Sequence, residues 1–438
     1  GLIDASNGAD TITVESSGIV GLDISGGAQD DVITIQGEAQ GDVSGGEQND
    51  TITISGTVNG SVEGNDGDDT IVLKAGADID TSVDGNDGND TFTIEGVALD
   101  ATLSGGNGAD TFIFTNSGSI PGSVDGNAGS DTLIGDNDGN VFDVITDNAG
   151  TLTGKTSGFL NVENLTGGAD VDQFLFANGF KISGDVDGGG TMAGPDVLDL
   201  SLYATPVDIT ISDVGIFHGL EGSTAGTPNP LGGTFDNIDS LISDGEGGST
   251  LTGAGTGNTW NIDGSDSGTL AVYLGGTFAG IENLDGGTNT DNFVFGVSGT
   301  LAGNVDGGSN IDTIDVSANL NDLTISLSAA GTTDGLTGSM SAAINGAFDN
   351  IDVLSTGSGT NTLVGFDTAA DWTLDTLVTR YTVGSQDLDF SGVENLTGAG
   401  GVDTFTITGV QAYDIDGGAG DDLFVLKYVD TIGAELTG

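Results

Sequence analysis

Aspartate recurs at nearly constant intervals in the first third of the chain. Each of these residues stands directly before a short run rich in β-branched or aromatic residues, and together they are Asp10, Asp31, Asp50, Asp69, Asp90, Asp110 and Asp131. The intervals are 21, 19, 19, 21, 20 and 21 residues, so one structural repeat takes about 20 residues. If the repeats stack in register, the carboxylates form a row at a spacing of roughly 4.8 Å, and their mutual repulsion requires a bound counter-charge.

The turns before these aspartates are suited to binding a divalent cation. Gly105–Ile113 and Gly417–Val425 fit the pattern G-G-x-G-x-D-x-U-x, a nonapeptide of calcium-binding β-helices, at every position. Glycine permits the positive φ values that aim backbone carbonyls inward, and the aspartate adds a carboxylate. Together they supply the all-oxygen shell that Ca²⁺ prefers.

The sequence therefore predicts several bound calcium ions. The predicted ligands in the complete, near and looser copies of the turn are Asp10, Asp31, Asp50, Asp69, Asp90, Asp110, Asp131, Asp172, Asp291, Asp312, Asp403 and Asp422, with Asp66 and Asp87 inside two of the turns. A second set of acids just before the turns could add carboxylates to the same row, and it comprises Glu63, Asp84, Asp125, Asp187, Asp306 and Asp416.

These turns resemble those of the RTX family, the hemolysin-type calcium-binding repeat proteins. The stretch Val162–Gly168 also looks like the I/V-E-N-L-T-G segments that are common between the repeats of that family. The resemblance implies that each ion lies between turns of successive coils. Here only one edge of each coil carries the nonapeptide, while the other edge, as in Gly37–Gly41, is looser. We therefore expect a single row of ions.

The elements that position these turns are predicted to be short strands. Each coil has one strand such as Thr91–Ile94 and a second such as Ala101–Leu103, which runs into the next turn. A period near 20 residues has no room for a helix with its loops, and 80 glycines disfavour one. The sequence predicts an all-β fold, a parallel β-solenoid (β-roll or β-helix) with two parallel sheets.

A longer repeat begins after the regular coils. Phe142, Trp260 and Trp372 occupy equivalent positions, separated by 118 and 112 residues. We divide the chain into regular coils at 1–130, long modules at 131–249 and 250–361, and a truncated module at 362–438, all within one continuous solenoid. Because both ends fall inside repeats, we expect a slice of a longer array or a protomer that stacks on its neighbours.

The composition excludes several classes of partner. With 67 Asp and Glu against 5 Lys and Arg, the formal net charge is −62, which opposes binding to nucleic acid. No cysteine is present, so disulfides do not stabilise the chain, and no apolar run is long enough for a membrane span. The remaining partners are cations, surface carbohydrate and protein.

Catalysis is not predicted, because the chain has no cysteine, the single histidine His218, and only Arg380 and four lysines. Two binding functions remain as alternatives. Outward Thr pairs such as Thr51/Thr53 and Thr91/Thr93 would form a ladder able to bind ice, although Val32, Val72, Ile113 and Ile134 interrupt it. Trp260 and Trp372 would suit carbohydrate stacking, but their repeat positions favour a role in the core.

The leading functional prediction is a structural protein of the extracellular space or the bacterial cell surface. Roughly twenty coils of about 4.8 Å would give a calcium-stabilised rod on the order of 100 Å long. Such a rod would serve as an extracellular fibre, a surface layer or an adhesin stalk. Its partners would be calcium and, end to end, copies of itself or further repeats of the same chain.

Overall fold

The computed structural model describes residues 1–95, 102–190, 194–244, 247–271, 276–409 and 412–427, and the backbone of 436–437. All regular structure in these ranges is β-strand, without a helix, and the strands pair mainly in parallel with a period of about 20 residues. The predicted parallel β-solenoid is confirmed. The chain divides into two compact units, Gly1–Tyr203 with Val214–Ser240, and Ala204–Asp213 with Leu241–Gly438.

Three parallel sheets build the regular coils of the first unit. Sheet A contains Ile3–Asp4, Ile24–Ala28, Val43–Glu47, Val62–Asp66, Ser82–Asp87, Thr102–Asn107 and Ser123–Ala128. Sheet B contains Thr11–Val14, Val32–Ile35, Thr51–Ile54, Thr70–Leu73, Thr91–Glu95, Thr111–Thr115 and Thr132–Ile134. Sheet C contains Ile19–Val20, Glu38–Ala39, Thr57–Val58 and Asp78–Ile79.

Sheet C is an addition to the two sheets that the sequence predicts. Its strands are only two residues long and follow a turn of two to four residues, too little apolar pattern to reveal a strand. The predicted second strand at Ala101–Leu103 begins at Thr102 in the structure, while Ala101 lies outside the described residues. The strand also continues through the glycines of the turn motif as far as Asn107.

Alternation of inward and outward side chains explains the register of the coils. In sheet B, Ile52 pairs with Ile71, Ile71 with Phe92 and Phe92 with Phe112, and all four are fully buried. The rings of Phe92 and Phe112 stack with centroids 4.8 Å apart. A slip by one residue would turn this apolar row outward, so the pattern holds the aspartate turns in line.

Antiparallel strands interrupt the coils of the long modules. In the first unit, sheet A continues with Val141–Thr146, Ala149–Leu152, Gly158–Leu160, Gln173–Phe176 and Val197–Asp199, of which the first three pair antiparallel in sequence. Sheet B continues with Asn164–Thr166, Val186–Asp187, Leu220–Ala225 and Thr234–Ile238, and its last two strands are antiparallel. The stretch 191–235, which has no clear turn motif, therefore contains an antiparallel pair.

The second unit has two sheets of the same kind. Sheet D contains Ser240–Ile242 from Leu241 onward, Thr259–Gly264, Ser267–Leu270, Gly276–Ala279, Asn292–Phe295, Thr313–Val316, Val353–Thr356, Asp371–Leu374, Thr379–Val383, Gln386–Ser391, Thr404–Thr408 and Leu423–Lys427. Sheet E contains Asp208–Val214 as far as Asp213, Thr250–Thr252, Asn283–Asp285, Val305–Asp306, Thr324–Ala330, Leu336–Met340, Ile344–Ile351, Thr362–Val364, Asn395–Thr397, Asp414–Asp416 and Leu436–Thr437. Antiparallel excursions recur at 259–279, 324–351 and 371–391.

The two tryptophans belong to the core of the second unit. Both are fully buried, Trp260 stacked on Phe293 and Trp372 on Phe405. Their predicted role as packing anchors is confirmed, and stacking of a sugar on either ring is excluded. No helix that could cross a membrane occurs among the residues described.

Candidate metal site: columns of buried aspartates

The turn aspartates of the regular coils form a hydrogen-bonded column inside the solenoid. Each backbone N–H donates to Oδ1 of the aspartate one coil further on, at 2.6–2.8 Å along Asp10, Asp31, Asp50, Asp69, Asp90, Asp110 and Asp131. The six aspartates of this row from Asp31 to Asp131 are each at most 2% exposed. The structure thus brings the seven predicted ligands together in register. We call this row the first column.

The second carboxylate oxygen of this column has no hydrogen-bond partner. The buried, unpartnered atoms are Oδ2 of Asp31, Asp50, Asp69, Asp90, Asp110 and Asp131. Such atoms are uncommon in proteins and call for a physical explanation, such as a bound ion or a proton.

The first glycine of each turn makes the space for this carboxylate. A Cβ on Gly85 would lie 2.0 Å from Asp90 Oδ2 and 2.6 Å from the carbonyl oxygen of Gly105, in the next coil. This glycine has an ordinary negative φ, so sterics rather than conformation require it. The left-handed φ values occur at the second and fourth positions, as in Gly106 (114°) and Gly108 (137°).

Burial raises the pKa of Asp50, Asp69, Asp90, Asp110 and Asp131 above that of a free aspartate. The pKa is about 6 for Asp50 and about 7 for Asp69, Asp90 and Asp131, mainly through desolvation, with neighbouring carboxylates adding to the effect. The hydrogen bond from the preceding coil acts in the opposite direction. A bound cation would offset the cost of desolvation and favour the charged form of these carboxyls.

A second column lies at the other corner of the coil. The first column ends where Asp131 N donates to Glu163 Oε2 (2.9 Å), while Asn140, Asp172, Asp196 and Asp239 start a new chain of bonds of 2.7–2.9 Å. Asp131 leads from sheet A into sheet B, whereas Asp172 leads from sheet B into sheet A. The turn aspartates therefore lie in two columns and not in the single row expected from the sequence, and Asn140 opens the second column just before the antiparallel excursion at 141–160.

The second unit repeats the arrangement of the second column. Backbone N–H groups again donate to carboxylate oxygens one coil away. The bonds of 2.7–3.0 Å run from Asn258 to Asp291 Oδ1, from Asp291 to Asp312 Oδ1, from Asp312 to Asp352 Oδ2, from Ala370 to Asp403 Oδ1 and from Asp403 to Asp422 Oδ1. Oδ2 of Asp291, Asp312 and Asp403 is again buried without a partner. Burial raises their pKa values to about 6, 8 and 6.

The Glu of the V/I-E-N-L segments takes the place of aspartate where the corner changes. Glu282 Oε2 accepts from Ser249 N at 2.8 Å, and Glu394 Oε2 accepts from Asn361 N at 2.8 Å, as Glu163 does from Asp131. The longer side chain reaches the same backbone group from a different turn. The segment is thus a connector between columns.

The acids just before the turns face the other way. Glu63 and Asp84 are paired in register on the half-exposed side of their strands, while the glycines after them face inward. Asp125 accepts from Asn127 N (3.0 Å) and Asp416 from Gly418 N (3.0 Å). Asp66 and Asp87, inside the turns, are exposed. These carboxylates lie outside the columns, as a second layer of negative charge.

Asp187 and Asp306 have a more specific role in this layer. Each accepts a hydrogen bond of 2.7 Å from the side-chain nitrogen of a buried asparagine, Asn237 and Asn350, respectively. Those asparagines hold loops that bring a third potential ligand against the column.

Within the part of the chain that the structure describes, two clusters of potential metal ligands result, and both include residues that the sequence analysis missed. One comprises Asp196, His218 and Asp239, the other Asp312, Asp334 and Asp352; in each, the ligand atoms lie within 4.8 Å of one another. The repeated motif at 235–241 and 348–354 was the available signal, because it contains Asp239 and Asp352. Asp196, His218 and Asp334 carry no local signature, since only the excursions of the long modules bring them together.

The outer face of sheet B carries the Thr ladder in the register expected from sequence. One outward row contains Thr13, Thr34, Thr53 and Thr93 together with Val72, Ile113 and Ile134. Beside Ile113 and Ile134 lies a groove of about 770 Å³ that is also lined by Phe217. The neighbouring row departs from threonine only at Val32 and comprises Thr11, Val32, Thr51, Thr70, Thr91, Thr111 and Thr132. One row is therefore mixed in polarity, while the other is a ladder of hydroxyl groups with a single interruption.

The donor atoms of the columns are of the type that a hard divalent cation selects. The unpartnered carboxylate oxygens and the glycine carbonyls of the next coil supply only oxygen ligands, the type that such cations select. No protein-family model, no curated protein and no solved structure matches this chain.

Proposed function

We propose that this chain is a calcium-stabilised structural protein, secreted or held on a bacterial cell surface, where it forms part of a fibre, a surface layer or an adhesin stalk. The solenoid fold and the negative charge of the chain together support this function. A solenoid adds length by adding coils, and each coil here adds a buried carboxylate to a column. The proposal includes no catalytic step.

The columns of buried aspartates with one unpartnered oxygen each are the observation that carries the proposal. Six buried carboxylate oxygens in successive coils of the first column lack a partner, and a bound cation would supply one. With a net charge of −62 the whole chain favours cations, and cations also relieve repulsion from the outer layer of acids.

Calcium is the cation that best suits this donor set. Asp31, Asp50, Asp69, Asp90 and Asp110 would hold it in the first column and Asp291, Asp312 and Asp403 in the second unit, together with glycine carbonyls. Bound calcium would neutralise the columns and link successive coils. Because these ligands converge only in the folded coil, calcium binding and folding are coupled. Extracellular sites of this kind need roughly millimolar calcium, which an exported chain meets outside the cell.

The test is a calcium titration of the whole chain after removal of metal at pH 8. We expect far-UV circular dichroism to show a gain of β-structure, and the hydrodynamic radius to fall, with CaCl₂ but not with MgCl₂. Electron microscopy of the calcium-loaded sample tests for end-to-end assembly. A chain that is already fully folded in chelator at pH 8 would refute the calcium mechanism.

A matched pair of variants assigns the effect to the columns. Replacing Asp69, Asp90 and Asp110 together by Asn removes three column carboxylates and should weaken the calcium response. Replacing the exposed Asp66, Asp78 and Asp80 by Asn removes the same charge outside the columns. An equal loss in both variants would show that calcium acts only as a diffuse counter-ion.

A further inference from the structure

The only histidine of the chain is buried between two carboxylates of the second column. His218 Nδ1 lies 3.2 Å from Asp239 Oδ2, and Nε2 lies 3.6 Å from Asp196 Oδ2. The His218 side chain is 2% exposed, and its Nε2 has no hydrogen-bond partner. A buried, unpartnered ring nitrogen that faces a carboxylate points to a missing ligand.

The surrounding structure holds the three side chains in place. Asp196 Oδ1 accepts from Asp172 N (2.7 Å), and Asp196 N donates to Asp239 Oδ2 (2.9 Å). The loop that carries His218 closes through a bond from Gly215 N to Gly219 O (3.1 Å). Asn237 Oδ1 accepts from Phe217 N (2.7 Å) and His218 N (3.3 Å), which anchors the loop to the column.

The second unit contains the same construction with one ligand changed. Asp312 and Asp334 follow Asp196 and His218 by 116 residues each, and Asp352 follows Asp239 by 113. The loop again closes through Gly331 N and Gly335 O (3.1 Å).

The asparagine anchor is also repeated there. Asn350 Oδ1 accepts from Thr333 N (2.7 Å) and Asp334 N (3.3 Å), as Asn237 does from its own loop. The scaffold is thus shared, while an imidazole stands in one cluster where the other has a carboxylate.

That difference changes the metal that each cluster selects. Three carboxylates form an all-oxygen set for a hard cation, whereas an imidazole with two carboxylates suits zinc and related transition metals. Two ligands bonded to a tetrahedral zinc at 2.0–2.1 Å are about 3.4 Å apart. One zinc ion takes only one nitrogen of an imidazole. Nε2, which has no hydrogen-bond partner, lies 3.6 Å from Asp196 Oδ2, close to that value, while Nδ1 is the nitrogen that contacts Asp239. One ligand atom from each of the three residues lies within 4.8 Å of the other two.

We propose that Asp196, His218 and Asp239 form a transition-metal site of the zinc class, distinct from the calcium positions. The two carboxylates neutralise a divalent ion in this buried position, and three protein ligands leave a place for water. Zinc here would join the His218 loop to two coils of the column. The site does not depend on calcium, although the comparison with Asp334 uses the calcium assignment of the proposed function.

The test uses Co²⁺ as a spectroscopic probe for zinc on the whole chain in excess CaCl₂, which occupies carboxylate-only sites. We expect one Co²⁺ per chain, with visible absorption bands, paramagnetically shifted signals from the single imidazole, and displacement by Zn²⁺. His218→Asp should weaken Co²⁺ binding by about 100-fold or more, since loss of even an outer hydrogen-bond partner of a metal ligand costs about 10- to 100-fold.

The reciprocal variant, Asp334→His, should raise the number of bound Co²⁺ ions from one to two. Both replacements have a natural precedent at the equivalent position, and circular dichroism and thermal melting verify that each variant folds. Co²⁺ binding that persists in His218→Asp would overturn the proposal. Imidazole signals that do not respond to Zn²⁺ would also overturn it, because they would show that a protonated His218 bridges the two carboxylates without a metal. A chain that binds Co²⁺ at His218 but does not respond to calcium would refute only the proposed function.

Discussion

Replacing Asp90 by Asn should change the stability of the protein in opposite directions with and without calcium. Asn keeps an acceptor for the backbone N–H of Asp69, which lies 2.8 Å from Asp90 Oδ1. It also turns the unpartnered oxygen into an N–H₂ group that can donate to a carbonyl. The chain already uses this solution, because Asn361 Oδ1 accepts from Leu323 N at 3.1 Å while Asn361 Nδ2 donates to the carbonyl of Gly357 at 3.1 Å.

The magnitude follows from the cost of charging the buried carboxyl. The pKa of Asp90 rises from 3.8 to about 7, mainly by desolvation, and each pKa unit corresponds to about 1.4 kcal/mol. Water entry and relaxation reduce such penalties in folded proteins, so we take about half of the full value, or about 2 kcal/mol. At pH 8 in chelator, Asp90→Asn should therefore stabilise the protein by about 2 kcal/mol.

With calcium bound, the sign should reverse. The variant loses a charged ligand, and each tenfold loss of calcium affinity corresponds to about 1.4 kcal/mol, so a loss of more than about 30-fold outweighs the gain of about 2 kcal/mol. Urea denaturation at pH 8 in saturating CaCl₂ measures the effect with calcium. The amount of β-structure that the chain keeps at pH 8 in chelator, read by circular dichroism, measures the effect without it. Hydrogen exchange of peptides covering 64–110 localises them, because a repeat protein unfolds in segments rather than as one unit.

Asp80→Asn provides the matched control, since Asp80 is exposed and its replacement removes the same charge. Equal stabilisation by both variants in chelator would attribute the gain to general charge repulsion. If Asp90→Asn stabilises the protein in calcium as well, the column is protonated and calcium is not its ligand. If Asp90→Asn destabilises the protein both with and without calcium, burial of the charged Asp90 carboxylate does not carry the free-energy cost assumed above.

Three further predictions follow from the same geometry. In chelator, the melting temperature should fall as pH rises from about 4 to 8, because the column carboxyls, with pKa values of about 6 to 8 when folded and 3.8 when unfolded, take up protons on folding. A melting temperature that rises over this pH range would contradict the prediction. Saturating calcium should make the melting temperature nearly independent of pH. Gly85→Ala should lower stability by about 1–3 kcal/mol, since its Cβ would meet Asp90 Oδ2 at 2.0 Å and Gly105 O at 2.6 Å. Gly255→Ala is the control, because the nearest contact of its Cβ would be 3.5 Å away. An equal loss of stability in both variants, measured by urea denaturation, would argue against the steric role of Gly85. Trp260→Ala should lower the free energy of unfolding by about 3–5 kcal/mol, because it leaves a cavity against Phe293. Trp260→Phe, which introduces the residue type found at the equivalent Phe142, should lower it clearly less in the same assay. Similar losses of stability in both variants would argue that the indole has a role beyond packing.

Much of the solenoid could be predicted from the sequence because its determinants are local. The interval between aspartates sets the length of a coil, and the alternation in runs such as Thr51–Ile54 sets which residues face inward. Repetition then repeats both choices in every coil. The burial of Trp260 and Trp372 followed from the same periodicity, because equivalent positions of a solenoid share an environment.

The direction of the aspartate side chains was not accessible in this way. The nonapeptide pattern suggested carboxylates that face an ion row at the edge, whereas Asp90 points into the space left by Gly85 and accepts a backbone hydrogen bond from the neighbouring coil. The identity of the donor, the backbone N–H of Asp69, depends on the stacking of coils. A single turn therefore contains no information about it.

By itself, the sequence determined the β-solenoid, its period of about 20 residues, its inward and outward faces and the presence of an aspartate in each regular turn. Only the tertiary structure decided that the aspartates form columns at two corners, and that His218 meets Asp196 and Asp239. The physical reason is that a strand's faces follow from neighbouring residues, whereas contacts between residues 20 to 40 positions apart depend on the length and path of each coil. Antiparallel excursions change that path without changing the local pattern.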